Sequence, residues 1–277
     1  VCGALAGYEA GRTALLSGIS GIQKVYMPTG IRKLANPPIV EAVFDIDCEF
    51  RDSADISALE DLAKQTYASD YPVFRVRHLL EHQVRDIEGG PLEASFQKNI
   101  HSFMFLREDE KELVQVRPQG FSFNRLAPYE DLNGHLAQIE TAWRQFMVIA
   151  KPNIVTSIRL RYINRIRIPL QDGRVDLEAY LKLGPRLPDE ERLAFSGFLN
   201  QYVAVEKATG HEVKTVLTSQ QAEGNSLPII FDITVASGES VVPDEWGEIR
   251  RIVDSLRDLK NSVFFDSLED RCLALFQ

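Results

Sequence analysis

The stretch Ile158-Arg159-Leu160-Arg161-Tyr162-Ile163-Asn164-Arg165-Ile166-Arg167-Ile168 alternates apolar and basic side chains along its whole length. A period of two belongs to a β-strand, whose successive side chains point to opposite faces. Ile158, Leu160, Tyr162, Ile166 and Ile168 share one face, and Arg159, Arg161, Arg165 and Arg167 share the other. Only Asn164 breaks the apolar file and only Ile163 the basic one. Residues two apart on a strand stand about 6.6 to 7 Å from each other, so four guanidiniums in file need anions close by. The nearest pattern of the same kind is Val40 to Phe50, where Val40, Ala42, Phe44, Ile46, Cys48 and Phe50 alternate with Glu41, Asp45, Asp47 and Glu49. Two readings follow. If the strands are neighbours in one antiparallel or mixed sheet, the acidic and basic files pair with each other. If the arginines face an open groove, they are a clamp for phosphate or carboxylate, and the acidic file can hold a divalent ion against a phosphorylated ligand.

Outward from these two strands the chain reads as α+β. After the first strand, Leu59, Leu62, Ala63 and Thr66 place a helix over Ser57 to Tyr67. Phe74 to Arg85, Ser95 to Arg107 and Glu112 to Arg117 read as strands, separated by Glu88-Gly89-Gly90-Pro91 and by the charged turn Glu108 to Lys111. A short Phe121-Ser122-Phe123 segment leads into a helix predicted over Tyr129 to Ala150, with Leu132, Leu136, Ile139, Trp143, Phe146 and Met147 on one stripe. Beyond the arginine strand, helices are expected at Leu177 to Leu183 and Glu190 to Leu199. Strands follow at Tyr202 to Lys207, Glu212 to Thr218 and Leu227 to Ala236. A helix spans Asp244 to Lys260, and Ser267-x-x-Asp270 has the form of a cap for a short last helix. Both halves, about 36–150 and 154–265, thus read β-α-β-β-β-α. The expected architecture is a two-layer sandwich: a mainly antiparallel sheet built from two such pseudo-repeats, with helices on one face.

Composition excludes more than it names. With 277 residues, 44% hydrophobic and 26% charged, the chain can bury a large core as a single domain over 27–277. Its net charge of −9 disfavours a nucleic-acid partner, and no apolar run approaches the length of a bilayer crossing. Residues 1–26 are glycine-rich, lack an apolar period and precede the first methionine, Met27. They are read as a leader or disordered tail, or else as an ordered arm. Cys2, Cys48 and Cys272 lie far apart, as expected in a reducing, cytoplasmic setting. His78 and His82 would stand about 13 Å apart on a strand, too far to share a metal, and His101, His135 and His211 have no neighbours at ligand spacing. No metal site, cofactor, nucleophile elbow, phosphate-binding loop or dinucleotide fingerprint is expected.

At Asn36-Pro37-Pro38-Ile39-Val40-Glu41-Ala42-Val43-Phe44, Gly120-Phe121-Ser122-Phe123-Asn124-Arg125-Leu126-x-Pro128-Tyr129 and Leu160-Arg161-Tyr162-Ile163-Asn164-Arg165-Ile166, the chain resembles a sporadically distributed prokaryotic family of unknown function. The similarity runs from Asn36 to about Phe276 and includes Asp176-Leu177-x-x-Tyr180-Leu181 and Phe231-Asp232-Ile233. The resemblance implies genes that move between genomes, such as defence or toxin-linked modules, and transfers no catalytic residue. The functional expectation is a non-enzymatic binding or regulatory protein with a protein partner. The alternative is an enzyme or sensor that binds a phosphorylated small ligand through the arginine strand.

Overall fold

The structure, a computed structural model, describes residues 34–51, 56–85, 93–189, 192, 193 and 195–277, with the backbone alone for 81–85 and 93–96. The leader or tail expected over 1–26 lies outside the described residues. Among those described, nine strands form one antiparallel sheet. They are β1 (Ile39–Glu49), β2 (Val73–Arg85), β3 (Glu93–Leu106), β4 (Glu112–Arg117), β5 (Gly120–Leu126), β6 (Ile154–Pro169), β7 (Leu199–Val205), β8 (Glu212–Ser219) and β9 (Ser226–Ser237). Their order across the sheet is β2-β3-β4-β5-β1-β6-β9-β8-β7, so the acidic and basic strands sit side by side near its middle. Four helices accompany them: α1 (Glu60–Tyr67), α2 (Leu136–Ala150), α3 (Trp246–Asp266) and α4 (Asp270–Leu273). No described helix is long and apolar enough to cross a membrane.

Register carries the apolar alternation of each strand onto its neighbours. Phe44 stands opposite Phe123 on β5 and Leu160 on β6. Phe123 continues to Val114 and Phe105, and Leu160 to Val235 and Val213. This row is buried throughout, and the helices pack on it and on the rows beside it. The Tyr67 ring of α1 lies 5.1 Å from Phe105. Trp143 and Phe146 of α2 lie 5.8 and 5.7 Å from Phe121, and Phe264 of α3 stacks on Phe231 at 6.1 Å. Each of these rings removes roughly 150–250 Å² from water, so the aromatic contacts dominate the packing of α1, α2 and α3 on that face.

Several boundaries differ from those expected. Phe121 to Phe123 belongs to a full strand, β5, because Gly120–Leu126 finds pairing partners on both sides, β4 and β1. Helix α2 starts at Leu136 rather than Tyr129, after a single tighter turn over Asn133–His135. It ends where Lys151 takes a left-handed conformation (φ 49°) just before Pro152. In α1 the buried face is Ala63 and Tyr67, joined by Ile56 of the tighter turn that precedes it, while Leu62 is exposed. Tyr67 wins that place because its hydroxyl donates to the Ala142 carbonyl at 2.9 Å while its ring packs inward. Leu177 to Leu183 is one hydrogen-bonded turn, not a helix: the Lys182 and Glu269 amides are taken instead by the carbonyls of Ser267 and Tyr180. The helix expected at Glu190 to Leu199 falls partly on residues outside those described, and Leu199 already belongs to β7. Ser267 ends α3 by donating to the Val263 carbonyl, and the residue preceding α4 is Glu269.

Gly120 closes the β4–β5 hairpin opposite Arg117 with φ 150°, and a Cβ there would sit 2.1 Å from the Ile46 carbonyl oxygen on β1. Because the clash is with backbone, the sheet itself would have to open. Gly120→Ala is therefore expected to lower the unfolding free energy by about 3 kcal/mol or more, read by urea denaturation, whereas an Ala at the open position Gly210 costs about 1 kcal/mol.

Candidate functional site

The face of the sheet opposite α1, α2 and α3 carries both charge files, and register decides which members meet. Asp45 stands directly across from Arg159, but Val43 is opposite Arg161 and Ile163 is opposite Glu41. Arg159 therefore reaches the acidic strand. Its Nη1 lies 2.5 Å from Asp47 Oδ2, its Nη2 3.2 Å from Asp47 Oδ1, and its Nε 3.6 Å from Asp45 Oδ2. From the other side Arg117 of β4 lies 2.9 Å from Asp47 Oδ1 and 3.6 Å from Asp45 Oδ1, and Ser122 Oγ donates to Asp45 at 2.5 Å. Two guanidiniums thus clasp two carboxylates across β4, β1 and β6.

The remaining arginines turn away from β1, which corrects the expectation that the two files pair member for member. Arg161 grips Asp232 of β9, with Nε 3.0 Å from both carboxylate oxygens and Nη2 2.5 Å from Oδ2. Arg165 donates to Gln220 at 3.1 Å and to Glu223 at 2.5 Å in the β8–β9 turn, and Arg167 approaches Glu223 at 3.5 Å. The reason is positional. Acidic residues are missing from position 43, and Arg165 lies level with Pro38, where β1 has not yet begun. Glu41 instead ends an amide relay, Ser102 to Gln115 to Asn124 to Glu41, with links of 3.0, 2.9 and 2.7 Å. Glu49 is exposed at the end of β1 and joins none of these pairs among the described residues. The Asp232 hydrogen bonds and charge outweigh partial burial and hold the Arg161 pKa above the usual guanidinium value. Asn164, the polar break in the apolar file, donates to the carbonyls of Phe231 at 2.9 Å and Tyr162 at 3.3 Å and is a structural amide. A guanidinium shared between two carboxylates, as Arg117 and Arg159 both are, matters more than one that serves a single carboxylate. Arg159→Ala should cost about 1.5–3 kcal/mol in urea denaturation, against about 1 kcal/mol or less for the more exposed Arg161→Ala.

On the helix side the structure gathers polar residues that alternation did not single out. Glu112 is buried, accepting from Arg107 Nε at 2.7 Å and from the Tyr71 hydroxyl at 3.0 Å. Tyr129 and Tyr162 share a hydrogen bond of 2.9 Å between hydroxyls, with rings edge to face at 5.6 Å. Lys260 of α3 lays its Nζ 4.0 Å from the centroid of the Tyr162 ring. No carboxylate among the described residues is within ion-pair reach of it. Burial first, and then the neighbouring Arg257, pull the Lys260 pKa from 10.5 down to about 7. The space beside Tyr129 and Tyr162 has a volume of ≈ 10 Å³, about that of one water and too small for a substrate. A cleft of ≈ 660 Å³ beside the end of α2 is lined by Arg51, Lys151, Asn153 and Asp244 among apolar neighbours, with no histidine, cysteine, serine or tyrosine. Burial pushes the free thiols of Cys48 and Cys272 up to about 12. No described group of three or more His, Cys, Asp or Glu side chains can hold a metal ion.

Lys260 has a signed consequence. Its folded pKa lies below its unfolded value, so between about pH 7 and 10.5 the unfolded chain binds the extra proton and stability rises with pH. Below about pH 7 the cost of charging the packed amine is fully present. Lys260→Met should raise Tm at pH 6, and its advantage should shrink steadily toward pH 10.5.

The last feature is an edge. Strand β7 ends the sheet, and its sequence Leu199-Asn200-Gln201-Tyr202-Val203-Ala204-Val205 carries no charge. Leu199, Val203 and Val205 are 66%, 60% and 62% exposed. At the two ends of the β7–β8 ladder the Phe198 carbonyl accepts from Ser219 and the Glu206 amide donates to His211. Even-numbered residues of β7 therefore turn their backbone groups toward β8, and Leu199, Gln201, Val203 and Val205 turn theirs outward. The opposite edge, β2, carries Arg75, Arg77 and His78, the charged protection usual for a sheet edge. Sequence reasoning placed a strand here from Tyr202, and its uncharged run was the signal available. That it lies at an edge depends on the whole strand order. Compared with family models, with curated proteins and with solved structures, the chain matches none.

Proposed function

We propose that this chain is a non-enzymatic binding and regulatory protein of the cytoplasm, whose partner is a protein that adds an extended, uncharged segment to the sheet at β7. The observation that carries this reading is the contrast between the edges: β2 is charged, while β7, which has no partner strand on its outer side among the described residues, exposes apolar side chains with no charge in seven residues. Strand addition takes its affinity from main-chain hydrogen bonds and its selectivity from alternate side chains, and β7 supplies both. In this reading the helices and the sheet make a two-layer sandwich of two halves. Each half opens with a central strand, β1 or β6, and closes with the strand that returns to pair with it, β5 or β9. The segments that resemble the sporadically distributed prokaryotic family are β1, β5 with Tyr129, and β6. These strands lie at the middle of the sheet, and the resemblance is what suggests membership of that family and a mobile defence or toxin-linked module.

The alternative, an enzyme or sensor of a phosphorylated ligand, has less support because Arg159, Arg161, Arg165 and Arg167 each already face a carboxylate. One comparison separates the two. A partner recovered with the intact chain from its native host should be lost on Val203→Lys with Val205→Glu, while a nucleotide and polyphosphate panel with and without Mg²⁺ leaves Tm unchanged. Retention of the partner by the charged-edge variant would overturn the edge reading. A ligand-dependent Tm shift abolished by Arg161→Ala with Arg165→Ala would restore the clamp.

A further inference from the structure

We propose that the strand occupying the β7 edge, until a partner replaces it, is β7 of a second copy of this chain, paired antiparallel about a two-fold axis through Tyr202. The inference rests on the reading of β7 as a binding edge and names its resting occupant. It begins with the backbone. Only Leu199, Gln201, Val203 and Val205 present outward N–H and C=O groups, as fixed by the Phe198 and Glu206 hydrogen bonds to β8. In an antiparallel pair each hydrogen-bonded couple must join two outward residues. The register that sets Leu199 against Val205 and Gln201 against Val203 of the second copy uses all four. A slip of two residues in either direction leaves one of them unpaired at each end. A slip of one residue sets outward groups against inward ones and forms no ladder.

Side chains agree with the same register. On the face continuous with the charged lattice, Leu199 meets Val205 and Val203 meets Gln201. On the other face Tyr202 meets its own copy and Asn200 meets Ala204. Leu199, Tyr202, Val203 and Val205, all exposed in the single chain, are covered at once. Electrostatics permits this occupant only at an uncharged contact. The protein carries −9, so two copies repel at long range, and a contact between them must be made where no charge is set against its like. The seven residues of β7 meet that condition. The interface is short, at the small end for specific contacts, so association is reversible with concentration.

The register gives a test that a generic sticky edge would fail. In a non-hydrogen-bonded antiparallel couple the Cα atoms lie about 4.5 Å apart, within disulfide range. Tyr202→Cys, made in a Cys2→Ser background, should form a disulfide-linked dimer under mild oxidation, while Gln201→Cys and Val203→Cys made singly should not. Sedimentation equilibrium should show a monomer–dimer equilibrium whose midpoint moves about tenfold or more to higher concentration in Val203→Lys. Unchanged circular dichroism and Tm would show that this variant still folds. A chain that stays monomeric at every concentration, or a dimer that is indifferent to Val203→Lys and forms no disulfide in the Tyr202→Cys variant, overturns the proposal. If dimerisation fails while the charged-edge variant still loses its partner, only the identity of the occupant is overturned and the edge reading stands.

Discussion

The antiparallel pairing of β1 with β6, with Asp45 opposite Arg159, sets the rest of the structure. It puts β1 and β6 at the middle of the sheet, and the remaining strands build outward from them, β5 to β2 on one side and β9 to β7 on the other. The same register sends the apolar files of both strands to the helix side. A one-residue slip would bury the arginines and expose the isoleucines, so the charges act as much to forbid wrong pairings as to stabilise the right one. The more exposed pairs on this face, such as Arg161 with Asp232 and Arg167 with Glu223, contribute little each. Their weight here lies in specificity.

The period-two files made β1 and β6 legible from sequence, and their adjacency was one of the two readings that the matching acidic and basic files allowed. The particular pairs did not. Which carboxylate meets Arg161 depends on a registered neighbour about seventy residues away, and Asp232 sits one step diagonally along β9, where no local pattern points to it. Leu177 to Leu183 shows the converse failure. Leu177, Tyr180 and Leu181 recur at three and four residues and are all buried, yet one turn suffices to bury them once Leu181 bridges to Leu268 and the flanking amides bond elsewhere. Helical spacing is necessary for a helix but also satisfied by a single turn. Tyr129, Tyr162 and Lys260 were hidden for a related reason: each lies on a stripe that reads as core, and only the packing of α3 over β6 brings them together.

The face opposite the helices presents arginines that already face carboxylates rather than an open anion groove. A sheet with helices on one side must keep its other side wet without inviting a second sheet, and neutralised pairs do this. Arg117 and Arg159 cancel Asp45 and Asp47, and Arg161 cancels Asp232, so the middle of the face is polar but carries little uncompensated charge. An anion arriving there must compete with carboxylates already in bidentate contact, which costs more than a surface phosphate contact returns.

Edge strands impose a separate demand. Among the described residues the sheet ends at β2 and at β7, and the two edges differ in how their side chains guard them. At β2 charged side chains interrupt the alternation. At β7 nothing does: the strand is short, uncharged and exposes apolar side chains. Such an edge is stable in a crowded, net-acidic chain only if its occupancy is controlled, because the features that let it recognise a partner also let it aggregate. Self-pairing in a single register is the simplest control, since a two-fold contact closes after two copies and leaves no further β7 edge to propagate.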